Sequence, residues 1–171
     1  KELIYHALGY LQNPASIPVC LKGLGDPVDS VAAKAAGALA SLIEFAKSSS
    51  GGVDLEPVTK ALLRRAEVGL GDDKLRAAVI DAMASIAAPE FLDVLAEYAG
   101  ANEYVPAIRQ SALRGIGAVG KPAEVRLPLV IDRLAAEQDP GVREAAVVAL
   151  SHLGSRPEHL VVLRARLDPK V

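Results

Sequence analysis

Residues 139–154 read DPGVREAAVVALSHLG, a turn followed by a run of helical periodicity. With Val142 taken as position zero, apolar side chains recur at positions 0, 4, 7, 8 and 11. These positions share one face of an α-helix. The spacing, called the template here, predicts an amphipathic helix that begins at an Asp-Pro turn.

The template recurs along the chain. Its zero positions are 44, 33 and 34 residues apart, and the long interval contains the Ser/Gly run 48–52, which predicts a flexible loop. A fixed period of this size is typical of repeat architectures. The template residues are Ile4, Ala7, Leu8 and Leu11; Val31, Ala35, Ala38, Leu39 and Leu42; Leu75, Val79, Ala82, Met83 and Ile86; Ile108, Ala112, Gly115, Ile116 and Val119; and Val142, Ala146, Ala149, Leu150 and Leu153.

A period near 33 residues leaves room for a second set of helices between the template helices. Apolar spacing, with Pro and Gly residues as punctuation, predicts these helices around residues 17–24, 55–70, 90–98, 125–136 and 158–167. Each repeat is therefore a helix pair whose second helix carries the template. We expect ten helices, which form four antiparallel pairs with one unpaired helix at each end.

The chain is expected to be one repeat domain, residues 1–171. Its subdivisions are the second helix of a truncated repeat (1–13), a repeat (14–47), a flexible loop (48–53), three repeats (54–88, 89–120 and 121–155) and the first helix of a truncated repeat (156–171). Since both ends fall inside a repeat, we expect further repeats or another domain to flank the segment, or the uncapped ends to self-associate.

The turns before the template helices share two polar features. An Asp stands in three of them, where its carboxylate is expected to cap free N–H groups of the helix. An Arg follows position zero in three copies, whereas Ala32 takes that place in another. The residues are Asp26, Asp72 and Asp139, and Arg76, Arg109 and Arg143.

Together, the template, the turn Asp and the Arg resemble the HEAT repeat family, in particular the short bacterial HEAT-like repeats related to those of phycobilisome lyases. The resemblance implies an all-α fold, namely a right-handed α-α superhelix. This HEAT-like (armadillo-like) α-solenoid has its second helices along the concave face. It also implies a polar ladder between repeats that is built from these same Asp and Arg residues, with a rung missing at Ala32.

Composition excludes several classes of protein. A net charge of −2 and the absence of Trp argue against a nucleic-acid binder. A single cysteine, Cys20, excludes a disulfide framework, and its apolar neighbours indicate a buried thiol. The sequence has no membrane-length apolar run and no signal peptide. We therefore expect a cytoplasmic protein without membrane contact.

Catalytic motifs are absent. His6, His152 and His159 never pair at i+3 or i+4, so we expect no metal site. The run 115–120, GIGAVG, has the glycine spacing of a dinucleotide fingerprint, but it follows a helix rather than a strand. A close helix crossing with a glycine C-cap is the expectation there. We expect neither enzymatic activity nor a cofactor.

The template also indicates which side chains of the second helices point away from the core, namely those at positions 2, 6, 9 and 10. Small residues such as Gly37 and Gly117 make this face smooth. It is either a solvated face or a docking surface for a helix or extended peptide. The candidate partner-binding residues are Asp81, Arg114, Gln110, His6, Tyr10, Ser85, Val148 and His152.

Three functions follow from these patterns. The first is a non-enzymatic scaffold that binds a protein or peptide partner on the concave face. The second, by family analogy, is an accessory or lyase-type subunit acting on bilins or phycobiliproteins. The third is a HEAT-like DNA-binding protein or DNA glycosylase. This chain lacks the basic concave face and the stacking aromatic residues that such a protein needs.

Overall fold

The computed structural model describes residues 1–49 and 52–153. Within these ranges the chain forms nine α-helices and three short 3₁₀ helices, and it contains no strand. The predicted helix around residues 158–167 lies outside the described residues. The α-helices are α1 (Glu2–Leu11), α2 (Ile17–Leu24), α3 (Asp29–Ser48), α4 (Glu56–Val68), α5 (Asp73–Ile86), α6 (Leu92–Gly100), α7 (Pro106–Val119), α8 (Leu127–Ala136) and α9 (Pro140–Leu153), and the 3₁₀ helices are Pro14–Ser16, Pro89–Phe91 and Lys121–Arg126.

The helices follow the predicted alternation. Helices α1, α3, α5, α7 and α9 carry the template, and α2, α4, α6 and α8 are the first helices between them. Two first helices begin later than expected, because Pro89–Phe91 and Lys121–Arg126 form 3₁₀ turns ahead of α6 and α8. The chain divides into two units, residues 1–88 and 89–171. The expected repeat boundaries stay predictions.

In unit 1, the second helices α1, α3 and α5 stack side by side. Helix α2 packs on α3, and α4 packs on α5. The template side chains of α3 and α5 form the core, all of them less than 9% exposed. Burial of this apolar face supplies most of the stability, because short isolated helices are marginal in water.

In unit 2, α7 and α9 are the neighbouring second helices. Helix α6 packs on α7, and α8 packs on α9. The template side chains Ile108, Ala112 and Ile116 of α7 are fully buried, as are Val142 and Ala146 of α9. The helix pair predicted from the sequence is therefore the packing unit here as well.

Two pairs of neighbouring second helices, α1 with α3 and α7 with α9, approach each other closely at small residues. A Cβ placed on Gly9 would lie 3.6 Å from the Cβ of Ala38, and one placed on Gly117 would lie 2.7 Å from the Cα of Ala149. In both cases position 9 of one helix meets position 7 of the next. Gly117 is buried rather than facing outward, so that placement was wrong, whereas the expected close crossing in the run 115–120 is confirmed.

Alanine substitutions should separate a glycine at this close contact from a glycine in open space. We expect Gly117→Ala to lower the free energy of unfolding by about 1–3 kcal/mol, because the new methyl group overlaps the α9 backbone. Gly37→Ala meets nothing within 4 Å, so it should raise that free energy by up to about 1 kcal/mol through helix propensity. Urea unfolding measures both. Equal stabilisation by the two substitutions would contradict the close approach of α7 and α9.

Candidate functional site

A groove of about 880 Å³ runs across the three second helices of unit 1. Its floor consists of small residues, among them Gly9 of α1, Gly37 and Ala40 of α3, and Ala77 of α5. Because Gly37 has open space above its Cα, the floor is accessible to an atom from outside. A surface of this kind admits a close backbone approach by a ligand.

Three of the predicted partner-binding residues line this groove. His6 and Asp81 occupy position 6 of α1 and α5, the same template position as Gly37 on the floor, and Tyr10 stands at the α1 edge. The rings of His6 and Tyr10 are in edge contact, with centroids 4.9 Å apart and planes at 83°. Tyr10 remains 77% exposed. The groove thus has an aromatic wall on α1, formed by His6 and Tyr10, and the Tyr10 ring in it stays exposed.

The groove also carries charges of both signs. Glu2 accepts a hydrogen bond from the Ser30 hydroxyl at 2.6 Å, so its carboxylate is already engaged. Lys34, Lys74 and Asp81 also line the groove and are exposed. Within residues 1–49 and 52–153 none of these three makes an ion pair. They are available to charged groups of a ligand.

The remaining predicted partner-binding residues lie elsewhere. Ser85, in α5, is half-buried, and its carbonyl accepts a hydrogen bond from Lys47. Arg114 is exposed on α7, while Val148 and His152 are exposed on α9, all three in unit 2.

Gln110, at position 2 of α7, makes a contact between repeats. Its amide nitrogen donates to the Asp139 carboxylate at 3.3 Å, ahead of α9. The side chain is half-buried and takes part in the packing of unit 2, and its partner-binding role stays a prediction.

The three arginines that follow position zero share a role that the sequence did not show. Each donates to the backbone carbonyl five residues before it: Arg76 to Gly71 at 2.9 Å, Arg109 to Tyr104, and Arg143 to Gln138 at 3.0 Å. Charge-assisted bonds of this type hold the turns that lead into α5, α7 and α9.

The three turn aspartates of the expected Asp–Arg ladder have defined hydrogen-bond partners. Asp72 and Asp139 cap their own helices, accepting from the position-zero N–H of Leu75 at 2.8 Å and of Val142 at 2.9 Å. Asp26 precedes position zero by five residues instead of three, and it bonds Val28 N–H and the Lys1 ammonium. The Asp–Arg ladder that the resemblance implies therefore stays a prediction.

The charged partner of Arg109 is Glu137, which the sequence reasoning did not identify. Both guanidinium–carboxylate bonds are short, 3.0 Å from Nε and 2.9 Å from Nη2, and both side chains are less than 9% exposed. Glu137 lies 28 residues from Arg109, ahead of the Asp139 cap. In the sequence, the only indication that Glu137 pairs with Arg109 is its position in the turn before α9.

The pKa of Glu137 reflects two opposing effects. Burial alone raises the pKa of this carboxyl group. The hydrogen bonds from Arg109 and from the backbone N–H groups of Asp139 and Gln138 lower it by more, so the net pKa lies below its usual value. The carboxylate is thus held charged in a buried site, where it neutralises Arg109.

Neither a metal-ligand cluster nor a reactive thiol is found among the described residues. Within residues 1–49 and 52–153, no group of three His, Cys, Asp or Glu side chains could hold a metal ion. Cys20 is fully buried, and burial raises the pKa of its thiol to about 11. A thiol with so high a pKa is a poor nucleophile at neutral pH. None of the helices in these ranges has the length and apolarity needed to cross a membrane.

Stacked helix pairs with template-bearing second helices define the class of α-solenoid proteins. The family model for HEAT repeats matches residues 56–151, which is more than half of the chain. The chain therefore belongs to the HEAT repeat family, whose members typically serve as protein-interaction modules.

A more distant likeness is to the "Bilin biosynthesis protein PecF" of Mastigocladus laminosus. The two are 33% identical over 124 residues, which is 66% of this chain and 58% of that protein. The chain thus spans less than two-thirds of the length of this relative.

Removal of the Glu137 carboxylate should leave Arg109 as an unpaired buried charge. We expect Glu137→Ala to lower the free energy of unfolding by about 3–5 kcal/mol, measured by urea unfolding at pH 7. The exposed Glu144 provides the control, and Glu144→Ala should change that free energy by no more than about 0.5 kcal/mol.

The pH dependence has a defined sign. Since the folded pKa of Glu137 is lowered, its stabilisation is complete above the unfolded value of about 4.3 and is lost as pH falls through the lower folded pKa. The stability difference between wild type and Glu137→Ala should therefore shrink below about pH 4. Equal stability of Glu137→Ala and Glu144→Ala at pH 7 would contradict the buried pair.

Proposed function

We propose that this chain is a non-enzymatic interaction scaffold that binds a helix or extended peptide of a protein partner in the unit 1 groove. The supporting observation is the groove itself, formed by three stacked second helices with a floor of small residues. Repeat proteins of this class use the extended surface of successive repeats for binding.

The shape of the groove favours a chain segment as the ligand. Gly37 and its Ala neighbours give a smooth floor along which a peptide backbone can lie close to α3. Tyr10 supplies an exposed aromatic ring at one edge, a residue type enriched at binding hot spots.

The charges of the groove provide orientation. On one helix, Lys74 precedes Asp81 by seven residues, a rise of about 10 Å along α5. A ligand with a carboxylate opposite Lys74 and a cationic group about 10 Å away, opposite Asp81, would be held in one direction. Charge complementarity of this kind sets specificity and register more than affinity.

A leucine at position 37 is the sharpest test, because Gly37 lines the groove and a Cβ placed on it meets nothing within 4 Å. Peptides are first selected from a displayed random library on the wild-type protein. We expect Gly37→Leu to weaken their binding at least about tenfold, measured by calorimetry, while Gly37→Ala weakens it less.

Gly52→Leu is the matched control. Gly52 also has nothing within 4 Å, yet it lies outside the groove, so this substitution should leave peptide binding unchanged. Selected peptides that bind Gly37→Leu as well as wild type would overturn the proposed groove function.

A second candidate function is that of an accessory or lyase-type subunit for bilins, supported by the likeness to PecF. Bilins carry two propionate groups, and Lys34 and Lys74 offer two cations in the same groove as Tyr10. Titration of the purified protein with a free bilin distinguishes the two functions. A bilin-binding groove would shift the bilin absorbance spectrum, and Gly37→Leu would abolish that shift, whereas an unchanged spectrum excludes this candidate.

A further inference from the structure

Helix α3 is the longest second helix of unit 1, and its last turns carry a second cavity. The helix has 20 residues, whereas α1 has 10 and α5 has 14. The cavity, of about 470 Å³, is lined by Glu44, Phe45 and Ser48 of α3, among others. Because α3 packs against both α1 and α5, the cavity lies on the middle second helix of the unit.

The second cavity is continuous with the unit 1 groove. Gln12, Ala40 and Ser41 line both of them. The combined surface, called the extended groove here, begins on α3 at Ser30 and ends at Ser48, a rise of about 27 Å along the helix axis. A helix that occupies its whole length has about 18 residues.

The three second helices of unit 1 run in the same direction. Glu2 bonds Ser30, which joins the starts of α1 and α3. The Lys47 ammonium bonds the carbonyls of Ser85 and Ile86, which joins the ends of α3 and α5. Side chains near the helix starts therefore lie towards one end of the extended groove, and side chains near the helix ends lie towards the other.

The two ends of the extended groove carry charges of opposite sign. Lys34 and Lys74 lie towards the starts of α3 and α5, whereas Asp81 and Glu44 lie further along these helices. Across the part of the chain that the structure describes, none of the four forms an ion pair. Glu2, at the first end, is already engaged in its hydrogen bond to α3. The extended groove thus has a basic end and an acidic end, with Lys34 and Glu44 about 15 Å apart along α3.

The floor of the extended groove suits a helix. Ala33, Gly37 and Ser41 line it at intervals of four residues, and a ridge of side chains from another helix packs along such a row. A close contact of two helices at small residues already joins α1 to α3, where Gly9 meets Ala38. The floor offers a ligand helix the same kind of contact.

We propose that the extended groove binds a partner helix of about 18 residues along α3, with the helix's acidic side chains at the basic end and its basic side chains at the acidic end. The proposal rests on the function proposed above, and it adds the length, the conformation and the charge order of the partner. Opposite charges at both ends fix the position of the helix along the groove, because a shift brings like charges together.

Selection of 18-residue peptides from a displayed random library on the whole wild-type chain tests the charge order. The enriched peptides should carry Asp and Glu near one end and Lys and Arg near the other, about ten residues apart. A proline at the centre of a selected peptide should weaken its binding at least about tenfold, measured by calorimetry, because proline breaks a helix.

Double-mutant cycles locate each end of a selected peptide. Glu44→Lys should weaken binding about five- to tenfold, and replacement of the peptide's basic residues by glutamine should remove that effect. Replacement of its acidic residues should not. Lys34→Glu should show the converse pattern. Glu67→Lys, the same charge change at an exposed site of α4 outside the extended groove, should leave binding unchanged.

Failure of the charge-ordered helix can be told apart from failure of the proposed function. A library without binders, or binders that Gly37→Leu does not weaken, would overturn both. Binders that Gly37→Leu weakens would overturn the charge-ordered helix alone if their charges are mixed along the peptide, if they tolerate the central proline, or if Glu44→Lys and Glu67→Lys affect them equally.

Discussion

The close approach of neighbouring second helices at small residues is the contact on which the rest of this structure depends. Gly9 meets Ala38 in unit 1, and Gly117 meets Ala149 in unit 2, in the same register of the repeat. Because these positions lack bulky side chains, the helices stack closely and bury their template faces between the pairs. The same small residues leave a smooth floor where α1, α3 and α5 line the groove. The requirements of packing and the shape of the candidate site therefore have one origin.

In the turns before the second helices, acidic and basic side chains bond different backbone groups. Asp72 and Asp139 satisfy helix N–H groups, whereas Arg76, Arg109 and Arg143 satisfy turn carbonyls five residues upstream. In the turns before α5 and α9, a helix N–H group and a turn carbonyl are both bonded by side chains of the same repeat. Arg109 adds the buried pair with Glu137, which ties α7 to the turn before α9.

The sequence predicted the helices and their apolar faces because periodicity reports directly on burial. Val142 and Ala146 are buried as the template requires, and α2 has the expected bounds. The hydrogen-bond partners could not be predicted, since a charge at a repeated position does not say whether it points to the next repeat or back to its own turn. Glu137 was missed for that reason, and Gln110 and Gly117 were placed outward although they take part in packing.

The candidate site was predicted in part. The template placed His6 and Asp81 at the same outward position of different helices, and the structure brings them to one groove together with Tyr10. What the template could not show is the depth of the surface, which depends on how closely the backbones approach. Between α1 and α3 that distance is set by the pairing of Gly9 with Ala38, a relation between residues 29 positions apart.

An engineered disulfide between Gly9→Cys and Ala38→Cys measures that approach directly. The two Cβ positions are 3.6 Å apart, within the range of about 3.5–4.5 Å that a disulfide requires. The double variant should therefore form an intramolecular disulfide nearly completely under mild oxidation, as read by mass spectrometry and thiol titration, while the single variants keep their thiols. A folded double variant whose two thiols stay reduced would contradict the stacking of α1 on α3.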